Sequence, residues 1–455
     1  MHTISNIHTH TVLPLPELLA PAGNMEKFRT ALLYGASAVY LGGTALNLRA
    51  AANGFTMAEL QEAVTLANAS NAKVYYTLNA MPMQEQLAAL PGVIEQAAHA
   101  GVHAFIIADP GVLRLARTYA PGVPIHLSTQ ANTVNSESAL FWADCGVTRV
   151  NLARELTCRN IHTLAKAVTG RMELEVFVHG AMCLAVSGKC LLSAWLNNRP
   201  ANLGQCTHPC RFEYKALHTG GCAGHCSPQH TYEQSHPMAE EPQPFVTVAE
   251  KTRPNEALWT VDENEGYASI WSPHDLCLLP YLPWFVRQRV HTLKIEGRVK
   301  GATYVAHVVD AYKTALLAAH AAVTTGAPFV AQPFMAELAY TASRPLSTGF
   351  FVPGERKQFP ATGEGALEKP IAARVLEETS PGTFALELKG TLSTTTPLEF
   401  MLPGMQRPEF QPGTFALENS KGERVAALHS GTKGVLHCPC ANVPQGVFVR
   451  TGAFK

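Results

Sequence analysis

The sequence predicts an α/β fold: a TIM-type (β/α)8 barrel followed by a small all-β domain. Three observations carry this. Eight short apolar runs, each ending on a polar residue or glycine, alternate with amphipathic stretches over the first three hundred residues, and strand-helix alternation with short loops implies a parallel sheet. Eight units are the count of a closed barrel. The first run is followed by Ala-Pro-Ala-Gly-Asn rather than a glycine-rich phosphate fingerprint, which argues against a doubly wound dinucleotide fold.

The strand candidates in order are Glu17–Gly23, Ala38–Gly43, Val74–Asn79, Ala104–Asp109, Ile125–Gln130, Arg149–Glu155, Glu173–His179 and Thr292–Glu296. Between them, Asn24–Tyr34, Met57–Ala69, Gln84–Ala100, Pro110–Tyr119, Ser136–Asp144 and Thr157–Ala167 read as helices. A cysteine-rich excursion, Ala181 to His291, separates the seventh and eighth strands, and residues 216–267 within it read as an irregular inserted loop. Asp275–Arg287 then resumes a helical pattern, which places Cys277 at a helix start, where a thiolate is favoured. Ala302–Thr325 supplies the closing helix. The barrel spans 1–330. Beyond it, prolines and short alternating runs such as Thr383–Lys389, with Phe384, Leu386 and Leu388 on one face, read as a β-domain over 331–455.

Composition narrows the function classes. At 455 residues and 47% hydrophobic content the chain buries a large core, and 35 basic residues balance 35 acidic ones. No global basic field advertises nucleic acid, so such a partner must be argued locally. Arg287, Arg289, Lys294, Arg298 and Lys300 form one local basic run. The stretch Met1–Pro16 lacks a charged run followed by an apolar core, and Thr30–Leu48, though uncharged, contains Gly42-Gly43 and reads as a buried αβ unit. The expected location is the cytoplasm.

Active sites of this barrel class gather at the carboxyl ends of the strands. Here those ends carry Asn79, Asp109, Gln130 with Asn132, Arg154 with Glu155, His179, and Lys294, Glu296 and Arg298. Any one of them can be a helix cap or a salt bridge instead. As a ring they mark a site. Arg154, Glu155, His179, Lys294 and Glu296 are the candidates for chemistry, and Arg49, Asn79, Gln130 and Arg298 for holding a small anionic co-substrate. Arg49, Arg154 and Arg298 suggest a fork for a diacid.

Seven of the eleven cysteines fall between positions 183 and 277, a pattern that fits metal binding in a reduced compartment better than a disulfide framework. Cys183, Cys190, Cys206 and Cys277 are the expected ligands, with Gly180, Gly188 and Gly204 permitting tight turns beside them. Zinc sites use closer pairs than the seven-residue step from Cys183 to Cys190, which favours an iron-sulfur cluster. Cys210 is the reserve ligand and can displace Cys277. Cys222 and Cys226 in Cys-Ala-Gly-His-Cys form a second small site or are surface thiols. Cys145 and Cys158 read as small buried apolar residues. Cys438-Pro-Cys440 carries no assignment.

The segment from Glu175 to Ser193, Glu-Val-Phe-Val-His-Gly-Ala-Met-Cys-Leu-Ala-Val-Ser-Gly-Lys-Cys-Leu-Leu-Ser, resembles the signature of the collagenase-like peptidases of unclassified catalytic type. The likeness extends through Glu17-Leu-Leu-Ala-Pro-Ala-Gly, Ala108-Asp-Pro-Gly, Ser128-Thr-Gln-Ala-Asn, Cys206-Thr-His-Pro-Cys-Arg, Asp275-Leu-Cys and Lys294-Ile-Glu-Gly-Arg, most of residues 17–310. The resemblance implies a 4Fe-4S cluster on Cys183, Cys190, Cys206 and Cys277. It implies hydroxylation of the tRNA wobble uridine with a prephenate-type co-substrate, or of a ribosomal RNA cytidine or a quinone ring. The alternative is a peptidase. No His-Glu-x-x-His helix or Gly-x-Ser-x-Gly elbow is present, and His179 with Glu175 is the only tempting pair.

Overall fold

The structure is a computed structural model and describes residues 13–44, 54–182, 190, 192–193, 206–207, 209–211, 246–250, 253–264, 267–269, 274–342, 344–353, 358–359 and 370–452. Strands β1 (Glu17–Pro21), β2 (Ala38–Leu41), β3 (Lys73–Leu78), β4 (Ala104–Ile107), β5 (Ile125–Leu127), β6 (Arg149–Asn151) and β7 (Glu173–Gly180) pair in parallel in chain order. The eighth barrel strand, Thr292–Ile295, closes the ring. Its Thr292 is register partner to Glu175 of β7 and to Glu17 of β1.

All eight expected strands are present, most of them trimmed at the carboxyl end. The trimming has a cause, because polar end residues leave the ladder to cap the next turn or helix. Asp109 accepts from the backbone of Gly111 and Val112 at 2.8 and 3.0 Å and starts α4 (Pro110–Tyr119), with proline in the first helical turn. Ser128 likewise starts a short turn over Thr129–Ala131. The other helices are also capped locally: Asn24 caps α1 (Met25–Leu33), a Thr56/Glu59 capping box opens α2 (Met57–Ala69), and Thr157 opens α6 (Cys158–Ala167). Helices α3 (Leu90–His99) and α5 (Ser136–Asp144) complete that side of the outer layer. The long helix Ala302–Thr325 buries twelve residues from Tyr304 to Ala319 across the closing seam. Among the described residues, no helix is long and apolar enough to cross a membrane.

The barrel interior is polar at its amino-terminal end and aromatic above. Arg149 of β6 bonds Glu17 at 2.7 Å and Glu173 at 2.6 Å, while the Tyr75 hydroxyl donates to Glu17 at 2.8 Å. Burial works against the Glu17 carboxylate, but Arg149 and the Tyr75 hydroxyl outweigh it and hold its pKa below the ordinary value. That plug seals the end opposite the strand tips. Leu19, Ala38, Tyr40, Tyr75, Ala104 and Ile106 fill the space above it.

Three expectations from the sequence are corrected here. Cys277 does not begin a helix: Asp275–Cys277 is a strand, antiparallel to the end of β7 with Cys277 opposite His179. The unpaired edge of β7 beyond β6 captures the three-residue run, and helical structure follows only from Leu279 and Leu282. The insert is not wholly irregular, since Val246–Glu250, Arg253–Asn264 and Tyr267–Ser269 form a three-stranded antiparallel sheet. Its remaining part, with Cys222 and Cys226, lies outside the described residues. The basic run does not make one patch, because Thr292–Ile295 is extended and separates Arg287 and Arg289 at its amino end from Arg298 and Lys300 at the other.

The composition change at 331 also precedes the structural one. The helix Gln332–Ala339 and the strand Leu346–Ser347 belong to the barrel side, with Leu338, Leu346 and Phe351 in its core. The β-domain core runs from Ala372 to Val449, and Phe384, Leu386 and Leu388 face it as the alternation predicts. A buried polar network joins the two bodies. Asp310 accepts from the Gly404 and Met405 amides and from Arg407, and Glu337 meets His307, Arg407 and Arg450 at 2.9 to 3.1 Å.

Candidate active site at the barrel mouth

The strand tips bring three of the expected cations into one row. Lys294, on the eighth barrel strand, is 3% exposed and places its Nζ 2.7 Å from Glu175 Oε1 of β7. The same ammonium lies 4.4 Å from the centroid of the Tyr40 ring and 5.3 Å from that of Phe177. Arg298 covers Tyr40 at 5.7 Å and donates to Thr77 Oγ1 at 2.9 Å. Arg154 covers Phe177 at 5.0 Å and donates to the Ala181 carbonyl. The sequence Arg298, Tyr40, Lys294, Phe177, Arg154 is thus a ladder of alternating cations and rings. Cation–π contacts of this kind strengthen where water is excluded, and burial lowers the Lys294 pKa against the pull of Glu175.

Rings hold the cations in place without cancelling their charge. The guanidinium and ammonium groups gathered on these two rings supply the donors with which this part of the mouth can meet a small anion. Tyr40 and Phe177 were not among the expected site residues; their inward positions on β2 and β7 were the available signal. Arg49 lies outside the described residues.

The remaining ring members divide. Asn79 donates to Ser128 Oγ at 3.3 Å and stands with Gln130 on the β3–β5 side of the mouth. Asp109 is a helix cap. Glu155 carries a buried Oε2 without a hydrogen-bond partner among the described residues. Glu296 is 8% exposed, and its backbone carbonyl accepts from Tyr304 at 2.8 Å. Gly180, at φ +107°, lets β7 end against this segment, where a Cβ would stand 2.7 Å from the Glu296 carbonyl oxygen.

His179 and Glu175 do not form a working pair. Glu175 is engaged by Lys294 inside the barrel, whereas the His179 ring lies 5.3 Å from that of Tyr312 and 6.1 Å from that of Tyr304. Burial drives the imidazole pKa down to about 3, so it stays neutral.

Among the described residues, the expected cysteine ligands fall into two neighbourhoods. The Thr207 amide donates to Ser193 Oγ at 3.0 Å, and the two hydroxyls lie 3.2 Å apart, which ties the segment after Cys190 to the one beginning at Cys206. Cys190, Cys206 and Cys210 are half-buried. Cys277, opposite His179, forms the second neighbourhood. Cys183 lies outside the described residues. The Cys277 thiol faces the Tyr312 hydroxyl and the Met335 sulfur, each at 3.7 Å, and burial pushes its pKa up to about 11. Among the described residues no three histidine, cysteine or acidic side chains are gathered around one metal position. The donor chemistry, thiolate-forming side chains with Cys190 and Cys206 on segments joined by the Ser193–Thr207 contact, suits an iron-sulfur cluster.

The chain belongs to peptidase family U32, whose family model matches residues 23–359. It is 37% identical over 309 residues to the tRNA hydroxylation protein P of Escherichia coli K12, covering 66% of this chain and 68% of that one. It is 36% identical over 346 residues to the tRNA hydroxylation protein P1 of Bacillus subtilis, covering 75% and 73%. It is also 30% identical over 300 residues to the 23S rRNA 5-hydroxycytidine C2501 synthase of Escherichia coli K12, covering 66% of this chain and 39% of that one.

Proposed function

We infer that this protein is a tRNA-modifying hydroxylase that converts the wobble uridine to 5-hydroxyuridine, using a prephenate-type co-substrate and a 4Fe-4S cluster. The observation that carries the reading is the cation–ring ladder across the mouth, together with relatives whose names specify hydroxylation of tRNA and of a ribosomal RNA pyrimidine. Arg154 and Arg298 bind the carboxylates of the diacid, Lys294 supplies positive charge between them, and Glu175 fixes the ammonium. Tyr40 and Phe177 exclude water beneath the anion.

Cys183, Cys190, Cys206 and Cys277 hold the cluster, with Cys210 in reserve. A ligand role for Cys277 requires its side chain to turn away from Tyr312 and Met335. When bound, the cluster supplies one-electron redox chemistry beside the mouth. Among the described residues, the His179 and Glu175 pair offers the peptidase reading no activated nucleophile or water, because the two are committed to separate environments.

Anaerobic purification tests the cofactor: a brown protein with about four irons per chain is expected, bleached by Cys190→Ser and retained in Cys145→Ser. Nucleoside mass spectrometry of tRNA from a deletion strain tests the activity. Loss of 5-hydroxyuridine derivatives supports the hydroxylase; unchanged tRNA, with gelatin cleavage by the pure protein, overturns it.

A further inference from the structure

Several polar atoms at the β5–β6 rim are buried with nothing to bond among the described residues. Asn132 has both amide atoms, Nδ2 and Oδ1, without a partner there; Thr133 Oγ1, Asn151 Oδ1 and Glu155 Oε2 share that condition. Native proteins rarely leave such groups unsatisfied, because burial removes water that nothing then replaces. The backbone collects them in one place. The Ala153 amide donates to the Thr133 carbonyl at 3.3 Å and Thr129 Oγ1 to the Leu152 carbonyl at 3.2 Å, so the turn after β5 is strapped across the end of β6 just ahead of Glu155. Asn132 itself sits in the left-handed region at φ 52°, ψ 44°, a conformation its short polar side chain tolerates.

A primary amide offers one donor and one acceptor side by side in a plane. The edge of uracil is its complement, with O4 accepting and N3–H donating. We propose that Asn132 reads the Watson–Crick edge of the target pyrimidine, its Nδ2 donating to O4 and its Oδ1 accepting from N3–H. The target nucleotide leaves its stack and enters the mouth beside Arg154, as enzymes acting on a base require. The base and the anion then occupy separate parts of one mouth: the orphaned amide side for the pyrimidine, the cation–ring ladder for the co-substrate. This assignment rests on the reading of the protein as a uridine hydroxylase.

The test compares binding of two anticodon stem-loop RNAs to the full chain by fluorescence anisotropy, one carrying uridine and the other 3-methyluridine at the wobble position. Methylation removes the N3 proton and blocks the paired contact. Wild type is expected to prefer uridine by at least about tenfold, the loss of two ordinary hydrogen bonds. Asn132→Gly keeps the left-handed backbone and is expected to bind both RNAs alike, with an unchanged melting temperature because no internal partner is lost. A preference that survives in Asn132→Gly, or a wild type that does not discriminate, overturns the assignment. Failure of wild type to bind either RNA overturns the hydroxylase reading on which it rests.

Discussion

Replacing Lys294 by methionine is expected to cost the barrel about 3–5 kcal/mol, the usual loss when one partner of a buried ion pair is removed and the other stays uncompensated. The pair is fully enclosed, with side-chain exposures of 4% for Lys294 and 1% for Glu175 at a separation of 2.7 Å. At an effective dielectric constant of about 20 the Coulomb term is roughly 6 kcal/mol, and loss of the ammonium from the faces of Tyr40 and Phe177 adds about 1 kcal/mol. Methionine fills much of the vacated volume, which keeps the cavity contribution small. The double variant Glu175→Leu/Lys294→Met is expected to recover most of the loss. Arg149, 3.9 Å from Glu175, retains Glu17 and Glu173 as partners when Glu175 is gone. Urea denaturation of wild type, both single variants and the double variant gives the coupling energy directly. If Lys294→Met unfolds at the wild-type urea concentration, or the double variant is no better than the singles, the buried-pair reasoning fails.

Arg298→Ala is expected to weaken prephenate binding about ten- to a hundredfold, the loss of one charge-assisted contact; titration calorimetry with an unchanged Kd would remove Arg298 from the co-substrate site. At the domain junction, burial disfavours the Glu337 carboxylate, but His307, Arg450 and Arg407 outweigh it and hold its pKa well below the ordinary value. A depressed carboxyl stabilises the fold above the unfolded-state pKa of about 4.3 and loses that contribution as the pH falls toward the folded-state value. Glu337→Gln should therefore be less stable than wild type at pH 7, with the gap narrowing below about pH 4. An equal gap at both pH values in denaturant titrations would contradict this.

The barrel was legible in the chain because its determinants are local. Apolar runs of four to eight residues, caps such as Asp109 before Pro110, and the Thr56/Glu59 box all act within one turn of the backbone. The eight strand tips could be found on the same basis, and with them Arg154, Lys294 and Arg298. Cys277 was misplaced because a three-residue run has no preference of its own: the free edge of β7 at His179 made it a strand. The β-domain boundary slipped for a similar reason, since Leu338 and Leu346 join the barrel core through contacts that no window of sequence contains.

By itself, the order of residues settled the strand-helix alternation, the polar ring at the strand tips and the supply of thiols around one segment. Tertiary structure alone decided which of those polar groups face one another. It stacked Arg298, Lys294 and Arg154 on the rings of Tyr40 and Phe177, separated His179 from Glu175, and left the Asn132 amide without a partner among the described residues. Pairing across a closed barrel depends on register between strands far apart in the chain, and burial strengthens a charge contact only once the whole ring has shut out water.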